Sequence, residues 1–584
     1  MIFLKNTGHV LFIVICIYCL FYDGISCVTE NKNAAPRLEK RPMDIDRTGV
    51  PKQIFVGSFF GEWNQIRPML EICKILVERG YNVTLIAPGD LLPTSEYPTI
   101  NQISTGPSIE SDATYQELYQ KTFNRKQISG LRKLLVKKYL DYFETYQLAI
   151  KMIKPDLFFC NIFIINDICL DIAWSLKKPI VGFSSQMLGT PFIPYRSEVW
   201  YNCHVNMENE SFINRFRCAI IEPIRSISEM LSSIEELNKL RSTLGIKPVY
   251  NPFERIKDSL VLVNTFFGLE VPHPLPPLVQ EIGPVMQDKY PLITSKLSSF
   301  ISSHSRILYI SFNPNTFIRP ETNLIILHAI VESIQNEIID GAIWYSPSLS
   351  FNEEPISSTQ ITFSNRKSLS VSELLSNKHP DLHFTKFDSQ FSILNQTNVK
   401  LFLTTGDITN SYESLYTGTP MLILPVSFDQ LSNSEKLVGL GVALTLPNYF
   451  STNHVVEKIF KILNDDILQK NLKKTKLLVR INSKRKHRAA DLIEFVLHAS
   501  SLIPLDNTVD DEDEDDYDDY GIIEMSGDYE GLLKEWITPD ARMGFFKGMY
   551  LDIYGSFILI IVGALAFLLQ RIWNCLKGVK HKQD

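Results

Sequence analysis

Positive charge is in short supply in this chain of 584 residues: 58 lysines and arginines face 65 acidic residues, for a formal net charge of -7. A protein that neutralises a nucleic-acid backbone needs a basic stripe or patch, and none is present, so nucleic acid is not an expected partner. Cysteine is sparse too, with nine spread along the chain. The CxxC pair, Cys16 and Cys19, falls inside an apolar N-terminal run, which argues against a redox or metal centre there. In the main body, Cys203 and Cys218 sit in a polar, loop-like stretch that suits a disulfide. No histidine occurs from residue 10 to residue 203, so the usual general base is missing from the first part of the sequence. Long uncharged runs are also rare. Residues 553–570 form the one run in the C-terminal part that crosses most of a bilayer as a helix at about 1.5 Å per residue, and a single span excludes a channel or transporter.

What is present is a globular composition, 45% hydrophobic and 21% charged, ample for two domains with real cores. Residues 1–26 carry an early lysine, an apolar run too short to span comfortably, and small residues after it. They read as a cleaved signal peptide. Residues 27–52 are a polar linker. The stretch from Gln53 to Pro88 alternates strand, helix and strand, and similar units recur at 154–185 and from Arg306 onward. This alternation predicts an α/β architecture of two Rossmann-like domains, 53–285 and 286–501, with proline-dense sequence between them. An acidic low-complexity and juxtamembrane segment, 502–548, precedes a transmembrane helix at 549–572 and a cytosolic tail at 573–584. The D-x-D triplets in VDDEDEDDYDDY have no flanking strand and read as solvated acidic sequence. Arg571, Lys577, Lys580 and Lys582 follow the span and place the tail on the cytosolic side. Sequons at Asn82, Asn209 and Asn395 suit a luminal body.

The richest stretch is residues 399–446. An apolar strand from Val399 to Leu403 enters a small polar loop and then a helix start; a second strand from Met421 enters a loop with Asp429 and Gln430. In a parallel sheet both loops lie at the carboxyl ends of strands, where helix N-termini offer N–H groups to an anion. Phe402, Leu403, Thr404, Gly406, Ser411, Glu413, Gly418, Pro420, Pro425, Asp429, Gln430 and Asn433 together resemble the donor signature of family 1 UDP-glycosyltransferases. The opening strand and loop, ending in Pro68 and Met69, and the run at 154–185 resemble the same family.

The resemblance implies a GT-B fold in which the first domain binds an acceptor and the second a UDP-sugar. It assigns Glu413 to the ribose hydroxyls and Phe387 to stacking on uracil, with Gln390 beside it. Gly406, Asn410 and Ser411 fall to the diphosphate, and Asp429 and Gln430 to the sugar hydroxyls. UDP-sugar is then a co-substrate, and no metal or other cofactor is implied. Several positions depart from the pattern. Gln65 stands where the family has its general-base histidine, and Asn161 where an aspartate orients that histidine. Thr405 replaces the donor-contacting histidine, and Asp407 the second glycine. Glu62 and Asp167 are the carboxylates near the lost pair that would serve as substitute bases. The expected function is hexose transfer to a small lipophilic acceptor such as a sterol, lipid or xenobiotic alcohol. The alternative is a non-catalytic relative that binds sugar nucleotide or lipid, or regulates an active relative, and homo- or hetero-oligomers with relatives fit either. The terminal KHKQD resembles the retrieval signal of endoplasmic reticulum membrane proteins.

Overall fold

The computed structural model of the chain describes residues 46–502, apart from 90–91, 110–111, 120–124, 163–166, 188–194, 252, 313–317, 346–358, 363–367 and 387–388, together with most of 532–580. The signal peptide, most of the linker, the acidic run and Phe387 lie outside the described residues.

The strands of the first lobe are β1 (Gln53–Gly57), β2 (Asn82–Ala87), β3 (Asn101–Ser104), β4 (Leu157–Asn161), β5 (Ile180–Ser184), β6 (Leu260–Val263) and β7 (Val279–Glu281). They form one parallel sheet in the order β3-β2-β1-β4-β5-β6-β7. Runs such as LFFCN and IVGFS are buried along their whole length, as strands covered on both faces must be. In register, Val56 lies beside Leu85 on one side and Phe159 on the other. The second lobe holds β8 (Ile307–Ser311), β9 (Gly341–Tyr345), a small hairpin of β10 (Gln360–Thr362) and β11 (Ser368–Ser370), then β12 (Leu382–Thr385), β13 (Val399–Thr404), β14 (Met421–Ile423) and β15 (Ala443–Thr445). Its main sheet runs β12-β9-β8-β13-β14-β15, again parallel, with β13 at the centre and the Tyr309 and Phe402 rings stacked 5.3 Å apart. Reversal of strand order about β1 and β8 marks a doubly wound sheet in each lobe, whose ligands sit at the carboxyl ends of the strands.

The helices used below are α1 (Trp63–Glu78), α2 (Arg125–Ile153), α3 (Asp167–Ser175), α4 (Phe212–Phe216), α5 (Glu222–Thr243), α6 (Gln390–Leu394), α7 (Ile408–Thr417), α8 (Phe428–Gly439), α9 (Lys486–Ser501) and α10 (Leu551–Lys580). Helix α9 follows the second lobe in sequence, yet packs on the first. Its Ala489, Leu492, Ile493, Val496 and Leu497 share one cluster with Ile54, Ile72 and Leu76. Polar clasps flank that seam: Lys486 Nζ reaches Glu71 at 2.9 Å, and Arg79 Nη1 and the Tyr81 hydroxyl reach Glu494 at 2.8 and 2.7 Å. Leu533 is buried in the same cluster, and Trp536 stacks on Phe495 with ring centroids 5.5 Å apart. Within α10, Leu551–Trp573 is long and apolar enough to cross a membrane, by length and composition.

Cys203 pairs with Cys218 as expected, and a second disulfide joins Cys160 to Cys169. The second pair hides from sequence inspection because both cysteines lie in apolar runs.

Under β4 and β5 lies a buried charge cluster. Asp171 on α3 is fully buried and accepts from Arg241 Nε at 2.7 Å, Tyr139 Oη at 2.9 Å and Arg255 Nε at 3.1 Å. Removing one partner of such a group strands a buried charge. Replacing Arg241 with Leu is therefore expected to cost about 3–5 kcal/mol, read as a lowered urea midpoint of the full chain.

Candidate functional site

The centre of the second lobe ends in a tight loop. At Gly406 the backbone takes φ +90°, and a Cβ there would stand 2.7 Å from Ile423 Cγ2, so glycine is required on two counts. Asn433 Nδ2 donates to the Gly406 carbonyl at 3.1 Å and ties the loop to α8. Asp407 stands at the cap of α7. Its carboxylate is turned into protein: Thr405 Oγ1 donates to Oδ2 at 2.5 Å and Gln430 Nε2 to Oδ1 at 3.3 Å. Thr405 and Asp407 thus form a unit, a hydroxyl and a carboxylate where the signature has histidine and glycine.

The start of α7 is the anion-facing feature. The first N–H groups of a helix, here those of Ile408, Thr409 and Asn410, have no acceptor within it. Ser411, expected to offer its hydroxyl and N–H to a diphosphate, instead directs both to the Asp407 carbonyl, each at 2.9 Å. It is the first residue able to bond back along the helix, which accounts for the difference. One turn on, Glu413 is buried and accepts from Gln390 Nε2 at 2.7 Å; the same amide donates to Asn410 Oδ1 at 3.0 Å. Gln390, Asn410 and Glu413, three residues expected at the donor, are therefore one hydrogen-bonded group. Burial pushes the Glu413 carboxyl up to about 7, against the Gln390 amide and the charge of Arg67.

Asp429 and Gln430 open α8. Gln430 Oε1 accepts from the Val426 and Ser427 N–H groups at 3.0 and 3.2 Å, so this side chain holds its own loop as well as Asp407. The Ser427 hydroxyl donates to Asp429, whose carboxyl burial and then the nearby Asp407 push up to about 6.

In the first lobe, Gln65 lies in the first turn of α1, and its Oε1 is shut from solvent without a hydrogen-bond partner among the described residues. Glu62 is the residue just before α1, and its carbonyl accepts from the Gln65 N–H at 2.9 Å. Asn161, at the end of β4, is buried and reaches Ser58 Oγ at 3.5 Å. Asp167 is held elsewhere: Arg241 Nη2 donates to it at 2.9 Å and Arg132 lies 3.9 Å away, so it belongs to the charge cluster beneath the sheet.

Nothing in the motif marks Arg67; the signal available in the sequence is its place two residues beyond Gln65. Its guanidinium lies over Trp63 at 4.9 Å and 3.5 Å from Glu96, and its charge reaches Glu413 in the other lobe. Lys436 on α8 crosses in the opposite direction, to Glu270 at 2.8 Å, and the Tyr412 hydroxyl reaches the Asn264 carbonyl at 2.5 Å.

Two parallel α/β lobes, with a helix start and a buried carboxylate at the strand ends of the second, define a GT-B glycosyltransferase fold. Among solved structures, the calicheamicin glycosyltransferase CalG4 is similar, with TM-score 0.54 and 12% identity over 78% of this chain and 100% of that one. The glycotransferase of kitacinnamycin has TM-score 0.52 and 15% identity over 76% and 98%. A sequence model described as "UDP-glucoronosyl and UDP-glucosyl transferase" matches residues 208–499. A UDP-glycosyltransferase of Talaromyces amestolkiae is 26% identical over 88% of this chain and 97% of its own length. UDP-glycosyltransferase stmC of Aspergillus ustus is 26% identical over 89% and 98%. The chain belongs to the UDP-glycosyltransferase family.

Glu413 gives the site a pH signature. A carboxyl whose folded pKa lies above its unfolded value favours the fold at low pH, and that contribution is lost as pH rises through about 7. Urea unfolding of wild type should therefore show stability falling from about pH 4.5 to about pH 7, and Glu413→Gln should flatten that fall.

Proposed function

We propose that the chain transfers a hexose from a UDP-sugar to the hydroxyl of a small lipophilic acceptor, a sterol, lipid or xenobiotic alcohol, with inversion at the anomeric carbon. The observation that carries this reading is the Gln390–Asn410–Glu413 group at the start of α7, which sets a buried carboxylate one turn from the first N–H groups of the helix. Ribose hydroxyls donate to Glu413. The diphosphate meets the N–H groups of Ile408, Thr409 and Asn410 beside Gly406. The Arg67 charge adds the positive potential that Thr405 no longer supplies. Asp429 accepts from the sugar hydroxyls, with Gln430 behind it.

The acceptor oxygen attacks the anomeric carbon, the bond to the UDP oxygen breaks, and the departing charge collects where those N–H groups point. The proton of the acceptor hydroxyl needs a base. Gln65 accepts a hydrogen bond from that hydroxyl but takes no proton. With Asp167 committed to arginines, we assign the proton to Glu62. A membrane-anchored body with paired cysteines and sequons suits the lumen of the endoplasmic reticulum.

A second reading, a non-catalytic donor-binding relative, is favoured by the Gln430–Asp407 bond, which engages an amide that sugar hydroxyls would otherwise meet. Calorimetry of the full chain with UDP and UDP-glucose, joined to mass spectrometry of lipid extracts incubated with both, separates the readings. Binding with product supports transfer; binding without product supports the second; absence of any UDP binding sinks both. Glu62→Gln should lower turnover about 10²- to 10⁴-fold with UDP affinity intact, whereas Asp167→Asn should lower the urea midpoint and leave turnover near wild type. UDP affinity should also rise with pH through about 7, since only the ionised Glu413 accepts both ribose hydroxyls.

A further inference from the structure

Helices α4 and α5 run into one another through a π turn at Arg217–Ile221. Along this continuous rod Phe212, Phe216, Ile220, Ile224, Ile227 and Leu231 are between 44% and 73% exposed. They recur at steps of four and three residues, the spacing of one helical face. A π turn takes up roughly one extra residue, which holds the row in line across the junction. Away from the row, Cys218, Glu222, Ser233, Ile234 and Leu237 are buried, and Cys218 is tied to Cys203. The row is therefore surplus to the core. Single exposed apolar residues need no explanation, but a continuous ridge of large ones does.

Two kinds of surface would cover it. A second copy of the chain would need a broad complementary patch of about 800 Å² per partner, and the row, even with the exposed Ile213 and Ile221 beside it, offers one helix's width. A lipid surface needs only a protruding apolar ridge with polar flanks. The chain carries its own reason to lie at such a surface, in the Leu551–Trp573 helix. The ends of the ridge also fit: the Phe212 and Phe216 rings stack at 6.3 Å, and Arg215 and Arg225 stand beside the row, where long cationic side chains reach headgroup phosphates. We propose that the outer face of residues 212–231 is an interfacial anchor that beds into the leaflet of the membrane holding α10, giving the body a second lipid contact. The proposal stands apart from the transfer reaction.

The test uses the full chain reconstituted in vesicles of phosphatidylcholine with anionic phosphatidylserine. A fluorescent non-natural amino acid is installed singly at Phe216, at Ile224, or at Glu229 on the far side of the rod, and nitroxide-labelled lipids serve as quenchers. Emission at 216 and 224 should fall by about half or more with nitroxides near the headgroup end of the acyl chain, as expected for an apolar face about 5–10 Å deep. Emission at 229 should hardly change. Equal, weak quenching at all three positions overturns the proposal, as does energy transfer between labels on neighbouring chains without lipid quenching, which would make the ridge an interface between copies. Circular dichroism and urea midpoints matching wild type show that each labelled chain is folded.

Discussion

A helix start that is to meet an anion must not be occupied by another one, and this constraint shapes the centre of the second lobe. Asp407 caps α7 at the point where a diphosphate would approach, and like charges a few ångströms apart repel strongly where water is excluded. The conflict is relieved by direction. Thr405 and Gln430 hold the carboxylate toward α8, and Asn433 fixes the Gly406 carbonyl that precedes it. Gly406 makes the turn possible by its positive φ and its missing Cβ. Three side chains and one glycine around the loop therefore answer for a single substitution in the signature.

The same economy extends to the cleft. Each lobe sends groups into the other: Lys436 to Glu270, Tyr412 to the Asn264 carbonyl, and the charge of Arg67 to Glu413. On the far seam α9 crosses back over α1 and is clasped by Lys486–Glu71 and Arg79–Glu494. Buried pairs of this kind add little net stability but penalise misalignment heavily, because a displaced partner leaves an unpaired charge. They fix how the two nucleotide-type lobes face one another, on which any chemistry in the cleft depends.

Carboxyl groups in the site are tuned by the same burial. Glu413 and Asp429 both ionise later than in water, the first chiefly through loss of solvent, the second also through Asp407. Such groups report occupancy sensitively, since a ligand that donates hydrogen bonds to the carboxylate pulls its proton off.

The sequence by itself determined the two parallel sheets, because uniformly apolar five-residue strands alternating with amphipathic helices admit few other arrangements. It also located the β13–α7 loop, the α8 opening and the long apolar C-terminal helix, since each is carried by local spacing. Only the tertiary structure decided where side chains point. Ser411 turned from the expected ligand site into its own helix, Asp167 went to a buried arginine cluster, and Arg67 settled over Trp63 and beside Glu96, with its charge felt by Glu413 in the other lobe. The Cys160–Cys169 pair and the return of α9 were decided there too. Motif spacing fixes which residues share a loop, but the partners that orient them come from elements hundreds of residues away, and those contacts exist only once the lobes have packed.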